Sequence, residues 1–206
     1  MSGKSALEPR KQPRQRRSTA TRDAIVEAAT HVLGRAGLTG FNTNAIAARA
    51  GVSIGSLYQY FANKDALMLA LIRCQQERQA QTVAAAAAAG PGRNLAETVR
   101  RMVRAAMAHH HDDSLLATAI DHEEARLPIS AELDAMLGRS VAALGALLMA
   151  HRDEMGDIEP AAALQTLPAL VRAAVDSWAN LSPPQLDRAE DEAVRAVLGY
   201  LTLKVT

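Results

Sequence analysis

The chain of 206 residues holds one cysteine, Cys74, so no disulfide can close within it, and a reducing, cytoplasmic setting is the expectation. Aromatic residues make up only 3% of the sequence against 49% hydrophobic residues, so any core must be built from aliphatic side chains. No stretch alternates β-branched and polar residues between turn formers, which excludes a sheet as the framework. No apolar run is long enough to cross a bilayer, and the first residues are basic and polar without the apolar centre of a secretory leader, so no membrane partner is expected. A content of 22% charged residues with so many apolar ones also excludes a disordered chain. What is present is Ala and Leu in abundance at helical spacing. An all-α fold of about nine helices follows.

The net charge of +1 conceals an asymmetry. Residues 1–93 carry 13 Lys/Arg against 5 Asp/Glu, whereas residues 94–206 carry 10 against 17. A basic front half and an acidic rear half suit a protein that sets only one end on a polyanion.

Four regions can be drawn. Residues 1–17, with Lys4, Arg10, Lys11, Arg14, Arg16 and Arg17, read as a basic disordered arm, either a solubilising tail or a phosphate and minor-groove contact. Residues 18–63 read as a small helical head. Its first helix should run from Ser18 or Thr19 to Ala36 with Ile25, Ala28, Ala29, Val32 and Leu33 inward, ending at Gly37. Residues 64–92 read as a connecting helix, opened by a cap at Asn63 and closed by Gly90-Pro91-Gly92. Residues 93–206 hold five further helical patterns. One is capped by Asn94, one begins at Asp112 or Asp113, one is capped by Ser130 and reaches about Glu154. Another starts near Glu159 with Pro160 in its first turn, and the last is opened by Ser182-Pro183.

The most informative stretch is residues 42–67, NTNAIAARAGVSIGSLYQYFANKDAL. Two short helical patterns, Thr43 to Ala50 and Ile54 to Phe61, flank Gly51-Val52-Ser53. Gly51 suits a left-handed helix stop and Ser53 a helix cap. Small Ala47 and Ala50 allow a close helix crossing, and Leu57 and Phe61 share the buried side of the second helix. The pattern is a helix-turn-helix, whose second helix offers its outer face to a major groove of double-stranded DNA.

With Thr43, Ile46-Ala47, Ala50-Gly51-Val52-Ser53, Gly55-Ser56, Leu57-Tyr58, Tyr60-Phe61 and Asn63-Lys64 at their spacing, residues 18–72 resemble the TetR/AcrR family of transcriptional regulators. The resemblance implies a three-helix DNA-binding head and a helical ligand-binding body. It implies that Thr43 binds a phosphate at the start of its helix, and that Ser53, Ile54, Gly55 and Ser56 reach base edges. Tyr58, Tyr60 and Lys64 fall where the family contacts the backbone or bases; Gln59 can pair with adenine, and Asn44 occupies a variable position. The recognition helix has neither Arg nor Lys, so sequence reading leans on apolar contacts and DNA shape.

The resemblance also implies a homodimer through the last two helices, carried by Leu164, Leu167, Val171, Val175, Val194, Val197 and Leu201. It implies release from a pseudo-palindromic operator by a small-molecule effector. Candidate lining residues are Met102, Met107, Leu116, Ile120, Met136, Leu137 and Trp178, with His110, His122 or Glu123 as a polar contact. No cofactor and no catalysis are expected.

His109-His110-His111-Asp112-Asp113 invites a metal reading, and with it the alternative of a metal-dependent helical enzyme. Successive helical residues point about 100° apart, so the three cannot converge. A solvated helix end complementing the C-terminal dipole is the simpler expectation, without metal. The remaining alternative is a DNA-binding regulator that takes no small ligand.

Overall fold

A computed structural model describes residues 13–127, 142–178, 181 and 184–204, and among them there are nine α-helices and no strand. The chain divides into two compact units, Met1–Leu71 and Ile72–Thr206.

The first unit begins with α1 (Pro13–Gly40), followed by α2 (Thr43–Ala50) and α3 (Ile54–Tyr60). Helical backbone reaches back to Pro13, earlier than the expected start at Ser18 or Thr19. Proline suits a first helical position because its φ is preset and its absent N–H has no acceptor there. Residues 1–12 of the expected arm lie outside the described residues. Gly37 interrupts α1 at φ 59°, as its expected stop, but helical backbone resumes for one short turn to Gly40. Ile25, Ala28, Ala29 and Leu33 are buried and Val32 is half-buried, as the stripe requires. Ile46, Leu57, Phe61 and Leu67 complete a small aliphatic core with one further ring, Phe41.

The next helix, α4 (Lys64–Ala88), is capped by Asn63, whose Oδ1 accepts the Ala66 N–H at 2.8 Å. In the second unit, α5 (Leu95–Asp112) is capped by Asn94 and α6 (Ser114–Arg126) by Asp113. Residues 142–150 are helical (α7); the Ser130 cap, Leu133 and Leu137 lie outside the described residues. This helix stops before a tight turn at Arg152–Glu154, short of the expected Glu154, because the His151 N–H bonds back only three residues to Leu148. Two helices finish the unit, α8 (Pro160–Trp178) and α9 (Leu186–Thr202). The expected opening of the last helix at Ser182-Pro183 is corrected: Gln185 is still non-helical at φ −112° and ψ 63°.

Helices α5 and α8 both pack on α9, and α5 packs on α6. Leu95, Val99, Val103, Met107, Leu148, Leu167, Val175, Val194, Val197 and Leu201 form the shared core. A polar clasp fixes the start of α5. In the Nδ1–H tautomer His151 donates to Glu154 at 2.9 Å, Thr98 donates to His151 Nε2 at 2.9 Å, and Thr98 accepts the Gly92 N–H at 2.8 Å. Glu154 also accepts the Leu95 N–H, which holds its carboxyl below the usual range. Every buried polar atom of the clasp thereby has a partner.

Candidate functional site

The two short helices of the head are terminated by local chemistry. Asn42 Oδ1 accepts the Ala45 N–H at 2.8 Å and starts α2. Gly51, at φ 68° and ψ 28°, closes it with its N–H turned back to the last carbonyls. Ser53 then caps α3 by accepting the Ser56 N–H at 3.0 Å. Each device satisfies backbone groups that a helix end leaves without an intrahelical partner.

Thr43 Oγ1 lies 3.3 Å from the Tyr58 hydroxyl, so the first turn of α2 and the middle of α3 place two hydroxyls side by side. They stand beside the N-terminal end of a helix, whose free N–H groups and partial positive charge favour an anion. Ser53, Ile54, Gly55, Tyr58 and Gln59 are exposed, Ser56 and Tyr60 half-buried, and Leu57 is fully buried. Thus α3 is anchored by one face and open on the other. Ser53 and Ser56 hydroxyls lie 2.8 Å apart and share one hydrogen between them, leaving the pair a single outward donor. Ile54 keeps 39% exposure, unusual for isoleucine, at the tip of the helix. Asn44 is exposed one residue into α2.

Basic side chains lie over the two phenylalanine rings of the head. The Lys64 ammonium sits 5.3 Å from the Phe41 ring centre and the Arg22 guanidinium 5.8 Å from that of Phe61. Lys64 remains exposed at the start of α4.

The lining candidates of the body do not behave alike. Met107 belongs to the shared core, Met102 and Ile120 are buried, and Leu116 and Trp178 are half-buried. Arg188 lies over the Trp178 ring at 5.3 Å from its centre. Met136 and Leu137 lie outside the described residues. His122 is exposed, while Glu123 is buried and accepts from Arg126 at 2.9 Å. Of the proposed dimer residues, Leu167, Val175, Val194, Val197 and Leu201 are already buried in the core of their own unit; Leu164 and Val171 remain half-exposed.

The solvated-end reading of the histidine run is corrected. His110 is 4% exposed, His109 is half-buried, and the Nδ1 atoms of both are shut from solvent without a hydrogen-bond partner. Helix α5 continues to Asp112 and α6 folds back on it, so His110 Nε2 comes to lie 3.6 Å from Asp121 Oδ2. Burial pushes both imidazoles down to about 4, reinforced at His109 by His110 and Arg172 and at His110 by Arg172 and His111. Only His111 follows the expected course outward, and it meets Glu190 at 3.7 Å. The spacing in sequence concealed this, because Asp121 and Arg172 reach the histidines through tertiary packing alone.

The sequence matches the family described as bacterial regulatory proteins, tetR family, over residues 25–71. It matches the tetracyclin repressor-like C-terminal domain over residues 94–201. No curated protein sequence matches it significantly. Among solved structures, the multidrug binding protein EbrR complexed with imidazole is 25% identical, with a TM-score of 0.63 over 90% of this chain and 97% of the other. The regulator FadR from Bacillus subtilis, solved with stearoyl-CoA, is 17% identical, with a TM-score of 0.67 over 87% and 98%. A TetR regulator from Rhodococcus sp. RHA1 is 25% identical, with a TM-score of 0.58 over 87% and 93%. Helix-turn-helix head, all-helical body and a match that spans both place this chain in the TetR family of DNA-binding transcriptional regulators.

Proposed function

We propose that the chain is a homodimeric repressor that leaves a pseudo-palindromic operator when a small molecule binds its body. The observation that carries the DNA half of this reading is the Thr43–Tyr58 hydroxyl pair beside the start of α2, next to an α3 face left open by the burial of Leu57. In this reading Thr43 and Tyr58 grip one phosphate, Lys64 a second, and Tyr60 and Asn44 lie at the margin. The tip Ser53-Ile54-Gly55-Ser56 and Gln59 face the bases, with Ile54 on thymine methyls and the serine pair giving its one donor.

The effector half rests on the helical body and on relatives solved with bound small molecules. Half-buried Leu116 and Trp178 are the lining candidates with surface left to offer, and the dimer face falls to α8 and α9. Release requires that the effector bind the DNA-incompetent state better, so that DNA weakens effector binding by the same factor. Titration calorimetry with and without operator tests this: a matched loss of effector affinity is expected, and equal affinities overturn the mechanism.

Gly55 separates folding from DNA contact. A Cβ there meets nothing nearer than Ser53 Oγ at 3.9 Å, so the fold does not require glycine at this position. Gly55→Ala should therefore leave the melting temperature unchanged or raise stability by up to about 1 kcal/mol. It should still weaken operator binding roughly tenfold, about 1.4 kcal/mol, by holding the backbone off the bases. Fluorescence anisotropy showing wild-type operator affinity removes Gly55 from the interface.

A further inference from the structure

The α5–α6 hairpin gathers side chains that the regulatory reading does not use. His109 and His110, from the last turns of α5, and Asp121, from the middle of α6, each offer one donor atom, and these atoms lie within 4.8 Å of one another. We propose that His109, His110 and Asp121 form a binding site for a divalent first-row transition-metal ion of the zinc class. The site belongs to the body alone and needs no part of the DNA reading.

The donor set selects the ion class. Two imidazole nitrogens and one carboxylate oxygen suit zinc, cobalt or nickel, whereas magnesium and calcium take all-oxygen shells. Bonds of about 2.0–2.1 Å to a tetrahedral centre put ligand atoms roughly 3.4 Å apart, so the side chains need close by little more than an ångström. The rings already lean together, with centres 4.1 Å apart and planes inclined at 45°. Adjacent helical residues rarely converge; here the two rings tip toward one carboxylate across the hairpin.

The placement of the groups fits as well. His110 Nε2 already faces Asp121 Oδ2 at 3.6 Å, the edge of the ring from which an ion between them would be held. Arg172 faces Asp121 Oδ1 at 3.9 Å and leaves Oδ2 on the histidine side. Glu124 and Asp176 stand near Asp121, and Arg172 lies on its far oxygen. Glu124, one turn along from Asp121, is itself held by Gln76. Three protein ligands leave one coordination position for water or for a donor atom of a small molecule.

The test is a Co2+ titration of the full chain after treatment with a chelator. Visible d–d absorption saturating at one ion per chain, and displaced by Zn2+, is expected. His110→Gln and the isosteric Asp121→Asn should each weaken binding at least about a hundredfold, more than loss of an outer partner costs a metal site. His31→Gln, in the first unit, should bind as the parent does. Circular dichroism shows whether each variant folds, and Asp121→Asn alone decides if His110→Gln does not. No absorption and no ion retained on dialysis overturns the proposal, as does parental affinity in the folded variants.

Discussion

Leu57→Ala should remove operator binding by releasing the recognition helix from the head. Helix α3 has seven residues, too few to persist on its own in water, so its position depends on what it buries and on its cap. Leu57 is fully buried and is the anchor in the middle of that helix; Phe61 closes it from just beyond its end. Truncating a buried leucine to alanine costs about 2–5 kcal/mol. A unit of this size has little surplus stability to absorb such a loss. The expected result is a lower melting transition and an operator affinity down by at least about a hundredfold, roughly 2.7 kcal/mol. Leu57 touches no base itself, but the helix it anchors carries the base-facing tip, so the operator should lose more affinity than unrelated DNA. A variant that melts normally and keeps operator affinity contradicts the assignment of Leu57 as the anchor.

The head was legible in the sequence because its construction is local. Gly51, Ser53 and Asn63 act within three or four residues of where they stand, and their geometry follows from residue type. Asn42 acts the same way, although the reading began the helix at Thr43 without naming its cap. The Thr43–Tyr58 contact was only half legible. Both residues stood out as phosphate candidates, but that their hydroxyls meet depends on how α2 crosses α3.

In the body, helix starts at Asn94 and Asp113 could be read for the same local reason. The histidine cluster could not. Whether His110 faces water or Asp121 depends on the packing of α6 against α5, and Arg172 arrives from a third helix. Met102 and Met107 both stood as lining candidates because residue type does not separate core from cavity, and packing puts Met107 in the core. The extended start of α1 was missed because a run of basic residues was read for its charge rather than for its helix propensity.

The largest effect expected in the body comes from a residue with no side chain. Gly156 follows the tight turn at Arg152–Glu154, and its N–H donates to the Leu201 carbonyl at 2.8 Å, tying that turn to the last turn of α9. A Cβ at this position would stand 2.1 Å from the Leu203 carbonyl oxygen, 2.7 Å from its carbon and 3.0 Å from the Thr202 oxygen. All three are backbone atoms, so no rotamer change can make room. On the turn side, Arg152 Nη1 donates to the Gly156 carbonyl at 2.8 Å and buried Met155 sits in the core. On the other side, the Leu203 N–H is held by Gly199 at 3.1 Å. Gly156→Ala must therefore part the turn from the end of α9 and break the bond to Leu201. Forced repacking costs about 1–3 kcal/mol, and the lost hydrogen bond adds roughly 1 kcal/mol. At about 2–4 °C per kcal/mol, the body should melt some 5–15 °C lower. Amide exchange should quicken at 156 and through the last turn of α9, while α1 to α3 keep their protection. Because α9 carries the packing of both α5 and α8, the loosening should also reach the dimer face proposed for α8 and α9, and a dimer held there should dissociate at higher protein concentration. Unchanged melting and unchanged exchange at 156 would mean that the end of α9 is not held against this turn in solution.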